Sequence, residues 1–231
     1  MLDSLLANAR TTAHAFTVYR GAEPTGIESL FDAHGVAFEV RTLPPLGPDP
    51  FVLIESGGEF LGVISVDELD DLLDPPIVRP GDRDGVSPGY RAVFELFDDT
   101  LFTSMRRRSL LAVSREIEDR AHRVGTGTLR ASFQRFSAFR PQVGVYSYLA
   151  ADTDLSVHVH GVDDWDVPPI PGVRYHAVDD ELERFWVLAF DGGDEGQACG
   201  LVAREDSDGY TGFWTDDAAI VAEIAAAVTA A

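Results

Sequence analysis

The strongest periodic pattern in the chain is an apolar stripe that runs between Leu110 and Val124. Its members recur at spacings of three and four residues, which places them on one face of an α-helix. Gly125 follows directly, and glycine is the residue that most often closes a helix. A helix with one apolar face must bury that face against another element, so it constrains the whole fold.

Short apolar runs follow this helix, and acidic or glycine-rich turns separate most of them, which is typical of β-strands. The sequence therefore predicts an α/β (α+β) fold with a mixed β-sheet packed by helices and a smaller N-terminal α/β lobe. Helices are also predicted near residues 91–97, over 143–151 and in the alanine-rich C-terminal segment. The predicted strands cover residues 129–133, 155–160, 173–178, 185–190, 198–204 and 210–214.

Proline and glycine are dense between residues 74 and 90 and break both helix and strand. We therefore divide the chain into an N-terminal lobe (1–74), a connector (75–90) and a C-terminal lobe (91–231). In the N-terminal lobe, Thr25 and Glu28 form a capping box that opens a helix, and Gly35 is expected to end that helix.

The charge of the chain is strongly one-sided, with 39 acidic and 18 basic residues and a formal net charge of −21. Every basic residue is arginine. Such a chain repels itself at ordinary ionic strength, and molar salt screens that repulsion. The composition favours adaptation to a high-salt cytoplasm of the haloarchaeal kind, the alternative being an acidic protein from a GC-rich genome.

The same charge argues against direct binding of nucleic acid, which needs a concentrated basic face. The run Arg106-Arg107-Arg108 is interpreted as the solvated first turn of a helix. There is no apolar stretch of membrane-spanning length, and the first ten residues do not look like a signal peptide. A cytoplasmic location is the expectation.

The stretch from Ser109 to Ala121 resembles the opening helix of the DICT sensory domain, which is named for diguanylate cyclases and two-component systems. Further similarities follow in order to the C-terminus. This resemblance implies a sensory module of a haloarchaeal type that regulates a separate output protein. It implies no family-wide ligand, cofactor or catalytic residue. The later matching residues are Phe133-Gln134-Arg135, Phe139 with Pro141, Tyr146 with Leu149-Ala150, and the strand that ends at Gly161.

One candidate ligand site combines polar residues of the central helix with aromatic residues that follow the next strand. Ser114 and Glu118 lie four residues apart beside the apolar stripe, where they could bind a ligand or hold a neighbouring strand. Aromatic side chains near a strand end could stack against a planar ligand, or they could complete the core. The candidate residues are Ser114, Glu118, Phe133, Gln134, Arg135, Phe139 and Tyr146.

A weaker candidate is a metal site at His158 and His160, whose side chains point to the same face of a strand. Asp163 or Asp164 could complete it. Solvent-facing histidines on an edge strand are the alternative. His176 is interpreted as an isolated surface or core residue.

The function predicted from these observations is a sensory module that binds a small ligand or a partner protein and modulates a separate regulator. A phosphate-binding loop of the P-loop type is not expected, because the chain has no lysine. Two alternatives stay open, namely a metal- or carboxylate-dependent enzyme and a structural interaction protein that forms a homodimer. No cofactor is identified.

Overall fold

The computed structural model describes residues 1–9, 14–33, 37–56, 58–67, 98, 101–178 and 180–230. Its secondary structure forms two β-sheets and six α-helices within these ranges. The helices are α1 (Leu2–Asn8), α2 (Ile27–Ala33), α3 (Arg107–Val124), α4 (Phe136–Phe139), α5 (Val143–Asp152) and α6 (Ala218–Ala230). The strands are β1 (His14–Arg20), β2 (Phe38–Thr42), β3 (Phe51–Ser56), β4 (Glu59–Ser65), β5 (Phe102–Met105), β6 (Thr128–Arg135), β7 (Ser156–Val162), β8 (Val173–Ala177), β9 (Phe185–Phe190), β10 (Cys199–Asp206) and β11 (Gly209–Thr215).

The larger sheet has seven strands in the order β5-β11-β10-β9-β6-β7-β8. Its strands are antiparallel from β5 to β6 and parallel from β6 to β8. The predicted mixed sheet packed by helices is therefore confirmed. Helices α3 and α5 contribute to the apolar core on one face, and α1 and α6 contribute to the core on the other.

The smaller sheet has four strands in the order β2-β1-β3-β4, and it forms the predicted N-terminal lobe. Strands β1 and β2 are parallel, whereas the other two pairs are antiparallel. Buried residues of this sheet, such as Phe16 and Val18, belong to the same apolar cluster as Phe102 and Leu110 of the C-terminal lobe. The two sheets thus share one core.

The capping box that the sequence predicts is present at the start of α2. Glu28 accepts hydrogen bonds from the backbone N–H of Thr25 at 3.0 Å and from its hydroxyl at 2.7 Å. Arg20 donates to the same carboxylate at 2.6 Å. Burial raises the pKa of Glu28, but these hydrogen bonds outweigh it and hold the pKa below its usual range.

The helix predicted over residues 143–151 is confirmed as α5, and Arg107 and Arg108 are exposed in the first turn of α3 as expected. Strand β5 and helix α4 were not predicted, since each is only four residues long. The connector at 75–90, the helix predicted at 91–97 and the closing position Gly35 lie outside the described residues. The division into lobes at 75–90 stays a prediction. Among the described residues, no helix is both long and apolar enough to cross a membrane.

The start of β6 depends on a glycine with no room for a side chain. Gly127 has a φ of 101°, and a Cβ there would lie 2.4 Å from Oδ1 of Asp191. That oxygen accepts hydrogen bonds from the N–H groups of Thr128 at 2.9 Å and Gly193 at 3.1 Å. A side chain at position 127 would therefore displace the carboxylate that joins two loops.

We expect Gly127→Ala to lower the free energy of unfolding by about 1–3 kcal/mol, because it adds backbone strain and a clash. Gly144→Ala is the matched control, since nothing lies within 4 Å of a Cβ added at this position of α5. It should stabilise the protein by about 0.5–1 kcal/mol through helix propensity. Denaturant unfolding at one salt concentration measures both variants, and equal stability of the two would contradict this account of Gly127.

Candidate functional site

The outer face of the larger sheet changes from apolar to polar where it passes from β9 to β8. On this face, β9 buries Val187 and Ala189 beneath α6. On the next three strands the same face carries charged and polar side chains, because side chains two apart on a strand point the same way. These residues are Arg130 and Ser132 on β6, Ser156, His158 and His160 on β7, and Arg174 and His176 on β8.

A cavity of about 390 Å³ lies between this polar face and the last turn of α6. We call it the histidine cavity. Its volume falls within the range of small-molecule pockets. Its polar lining comes mainly from the sheet, and its apolar lining comes mainly from the helix end and from the segment after β8. The lining residues are Arg130, His158, His160, His176, Ala177, Val178, Val228, Thr229 and Ala230.

Three imidazoles are stacked beside one another in this cavity. The ring of His176 lies 5.1 Å from that of His158 and 4.6 Å from that of His160, centroid to centroid, and the ring planes are nearly parallel, at 10° and 18°. Nδ1 of His158 is 2.9 Å from Nε2 of His176, a hydrogen-bond distance. One of these two nitrogens must carry the proton and the other accept it. The parallel pairing of β7 with β8 sets the stack, because it places His160 directly opposite His176.

Burial and neighbouring positive charge lower the pKa values of His158 and His160. Burial lowers the pKa of His160 to about 3, with further contributions from His176, His158 and Arg130. The pKa of His158 is also lowered, first by burial and then by Arg130, His176 and Arg174. Within the described part of the chain, the charges that act on these two rings are arginines and other histidines. This is a locally positive environment in a chain of net charge −21.

Two buried polar atoms of this face have no hydrogen-bond partner among the described residues. They are Nε2 of His160, whose residue is 4% exposed, and Oγ of Ser132, which lies directly opposite it on β6 and is fully buried. Leaving a buried polar group unpaired costs about 1–3 kcal/mol, so such groups are rare in stable proteins. The two residues are paired across β6 and β7, and His160 lines the cavity.

Arginines supply the fixed charge of the cavity. Arg174 donates hydrogen bonds from Nη1 to Oγ of Ser156 at 3.0 Å and to Nε2 of His158 at 3.4 Å. Arg130 is half-buried and forms neither an ion pair nor a hydrogen bond with the described residues. In so acidic a protein, an arginine without a carboxylate is unusual and leaves its donors for another group.

The residues predicted as a ligand site from the central helix form a buried network on the opposite face of the sheet. Arg115 lies between Glu118 and Gln142 and donates to both. Burial raises the pKa of Glu118, although Arg115 opposes this. Burial and the nearby carboxylate of Glu118 raise the pKa of Tyr146 well above its usual value. Ser114 donates to the carbonyl of Leu110 one turn earlier, at 3.0 Å, and so stays within its own helix.

The predicted aromatic rim packs as core. Phe133, Phe139 and Tyr146 are at most 1% exposed, and their ring centroids lie 5.1–5.8 Å apart. Trp186 packs edge-on against Phe133 at 5.2 Å. Each ring is covered by the others, so the open side that stacking of a ligand requires is filled by the chain itself.

Two further predicted residues lie away from this network. Gln134 is the only non-glycine residue in the described ranges with a positive φ, 73°, and it sits where the pairing of β6 with β7 slips. Its side-chain amide donates to Glu205 at 2.6 Å. Arg135 is exposed and forms an ion pair with Glu183. The structure thus brings together Glu118, Phe133, Phe139 and Tyr146 but not Gln134 and Arg135, and a ligand role for the set stays a prediction.

His158 and His160 do share one face of β7, as the sequence predicted. The two carboxylates proposed to complete a metal site are engaged elsewhere. Asp163 is exposed, and Asp164 accepts hydrogen bonds from the N–H and hydroxyl of Ser137. No group of three or more His, Cys, Asp or Glu residues in the described ranges could hold a metal ion. The structure gives the metal-site hypothesis no support.

Sequence reasoning missed Arg130, Ser132 and His176 as members of a site. Each occupies an alternating polar position on a strand, and the same alternation selected His158 and His160. What the sequence does not reveal is the order β6-β7-β8, which places the three alternations side by side.

Comparisons with known proteins point to one family. Residues 95–206, a little under half of the chain, match the model of the DICT family, the sensory domain in diguanylate cyclases and two-component systems. The match supports the DICT resemblance and a sensory role for this region. A search of curated proteins found no match.

Among solved structures, the polyphosphate kinase from Porphyromonas gingivalis is similar at 13% identity and a TM-score of 0.38. The alignment covers 99% of this chain and 47% of the kinase, so the chain spans about half the length of that protein. At this level the likeness carries no argument about function.

The buried ion pair of α3 gives a first prediction for these sites. We expect Arg115→Met to lower the free energy of unfolding by about 3–5 kcal/mol, because it leaves Glu118 buried without a counter-charge. The double variant Arg115→Met/Glu118→Leu should be more stable than this single variant. Denaturant unfolding of the wild type, the single variant and the double variant tests this prediction. A single variant as stable as the wild type would disprove the coupling between Arg115 and Glu118.

The lowered pKa of His160 gives a second prediction, which concerns the dependence of stability on pH. As the pH falls below the ordinary histidine value of 6.5, the unfolded chain binds the proton and the folded chain does not. His160 therefore makes the folded state less stable between about pH 6.5 and pH 3, by at most about 1.4 kcal/mol per pH unit. Between about pH 7 and pH 4, the free energy of unfolding of His160→Gln should therefore fall by about 2–3 kcal/mol less than that of the wild type.

Unfolding curves at fixed salt and several pH values measure this difference. His122→Gln is the control, since His122 lies beside Asp152 on another surface and is not part of the cavity. An unchanged pH slope in His160→Gln would show that His160 is not held neutral by its surroundings.

Proposed function

From the DICT match over residues 95–206, we propose that this protein is a sensory module that receives a chemical signal in the histidine cavity and modulates a separate regulatory protein. The family match supports the sensory role. The observation that carries the receiving site is the cavity itself, where Nε2 of His160 is buried without a partner beside Arg130, which has no ion-pair partner among the described residues. Such a site is built to bind, because its polar groups gain contacts only when it is occupied.

The position of the cavity supports a regulatory mechanism. Its walls come from the sheet on one side and from the last turn of α6 on the other. A ligand that contacts both walls binds more tightly when they are held together, and this difference in affinity can shift a conformational equilibrium. Helix α6 also packs against α1, so a change in its position would reach the surface next to the N-terminus.

We further propose that the module works in a high-salt cytoplasm, as its lysine-free, acidic composition suggests. At molar ionic strength the screening length is only about 3 Å, so distant surface charges contribute little to recognition. A ligand site for such conditions needs short contacts to enclosed groups. The histidine cavity offers contacts of that kind.

The test compares strains of the source organism in which the chromosomal gene is deleted or carries a single substitution. His160→Gln alters the cavity and His122→Gln makes the same chemical change elsewhere. If the protein is a sensor, the cavity variant should reproduce part of the transcript changes seen in the deletion strain, and the control should match the wild type.

Protein levels of both variants are measured in the same cells to exclude loss of folding. A deletion strain whose transcripts equal those of the wild type across changes in light, nutrients and pH would overturn the sensory proposal. A cavity variant that is present at normal level and behaves as wild type would remove the cavity from it.

A further inference from the structure

We propose that the histidine cavity binds a small anion, a phosphate- or carboxylate-bearing ligand, and that the histidine stack takes up a proton when the anion binds. This inference rests on the proposed function, because it names the class of ligand that the sensory site receives. It is argued from the contacts of the cavity alone, so it can be tested without knowing the regulatory partner.

The charge distribution selects an anion over a cation or a neutral ligand. Arg130 lines the cavity without an ion-pair partner in the described ranges, and Arg174 lies next to the stack and donates to Ser156 and His158. No described carboxylate lines the cavity. A cation would meet only like charge here, whereas an anion meets a guanidinium whose planar donors suit both phosphate and carboxylate oxygens.

Hydrogen-bond chemistry points the same way. An imidazole N–H can donate to an anion, and the unpartnered Nε2 of His160, which lines the cavity, can be such a donor. In a neutral imidazole only one nitrogen carries a proton, so a neutral ring offers an anion a single N–H donor. Protonation of one ring adds a donor and a positive charge at the point where an anion would sit.

The surroundings of the stack explain why the proton arrives with the ligand and not before it. The charged and titratable groups that face His158 and His160 are Arg130 on β6 and Arg174 and His176 on β8, and all of them disfavour a further positive charge. Ser132, Ser156, Val178 and the end of α6, which also lie near the rings, carry no charge. The acidic segment Asp180–Arg184 packs against β6 and β7, and its Glu183 forms an ion pair with Arg135. A bound anion reverses the balance at the rings, because it adds a negative charge where the described charges are positive.

Sulfate is the probe for the first experiment, since it carries the same charge at every pH used and contributes no titration of its own. Isothermal titration calorimetry on the full chain measures its affinity at about 0.2 M and 3 M KCl. Uptake of one proton per anion predicts about tenfold tighter binding for each unit of decrease in pH. NMR of labelled histidine imidazoles in the same samples should show the cavity resonances moving toward the protonated form while that of His122 does not move.

Arg130→Gln should weaken sulfate binding at least about tenfold, as expected for loss of a charge-assisted pair. Arg41→Gln is the matched control, because it removes the same charge from an exposed position on β2, where Arg41 pairs with Glu39 and lies over the ring of Tyr19. His160→Gln should still bind sulfate but with a smaller dependence on pH. Inorganic phosphate and acetate, titrated in parallel, show which of the two anion chemistries the cavity prefers.

Saturable binding that Arg130→Gln abolishes and Arg41→Gln leaves intact supports the inference. Absence of binding by sulfate, phosphate and acetate, or equal binding by both arginine variants, would overturn it. Binding that depends on Arg130 but not on pH would remove the proton from the mechanism. These outcomes are independent of the strain comparison. A cavity that binds anions without affecting transcripts is removed from the sensory function, and a transcript response without anion binding refutes the ligand class.

Discussion

The side-chain alternation of β6 is the constraint on which both polar centres of this protein depend. Leu129, Ala131 and Phe133 point into the core beneath α3 and α5, whereas Arg130 and Ser132 point to the opposite face. The sheet also changes from antiparallel to parallel pairing at this strand. Because β7 and β8 follow in parallel register, they repeat the alternation of β6 and extend a polar strip across three strands.

The two polar centres differ in how their charge is balanced. On the inner face, Arg115 is neutralised by Glu118 and also contacts Gln142, so the charge of this centre is balanced and α3 is joined to the residue that precedes α5. On the outer face, Arg130 and the histidines face no described carboxylate. A balanced buried pair contributes mainly to the specificity of the fold, but an unbalanced cluster costs stability unless something binds to it. The unbalanced centre is therefore the better candidate for function.

Much of the fold follows from local sequence pattern, as two elements show. The stripe from Leu110 to Val124 predicted α3 because a helix twelve or more residues long gives a clear period, and β9 was predicted to the residue because its apolar run is bounded by charged turns. Strand β5 was not predicted, because four residues are too few to show a periodic pattern.

The candidate site could be predicted less well from the sequence, because it depends on strand order and on where a helix ends. The sequence placed His158 and His160 on one face but gave no reason to bring Arg130 or His176 beside them. It drew attention instead to aromatic residues near the end of β6, whose rings the folded chain uses to fill its own core. A core and a stacking site use the same residue types, so composition cannot separate them.

Helix α6 shows how binding in such a cavity could be transmitted. Its first three turns bury Val221 and Ile224 against the sheet, which fixes the helix at that end. Its last turn also forms a wall of the cavity, and Val228 in that turn is buried in the same apolar cluster. A ligand joined to Arg130 on the sheet and resting against that turn would couple the charge state of the histidines to the end of α6, and hence to any protein that contacts it.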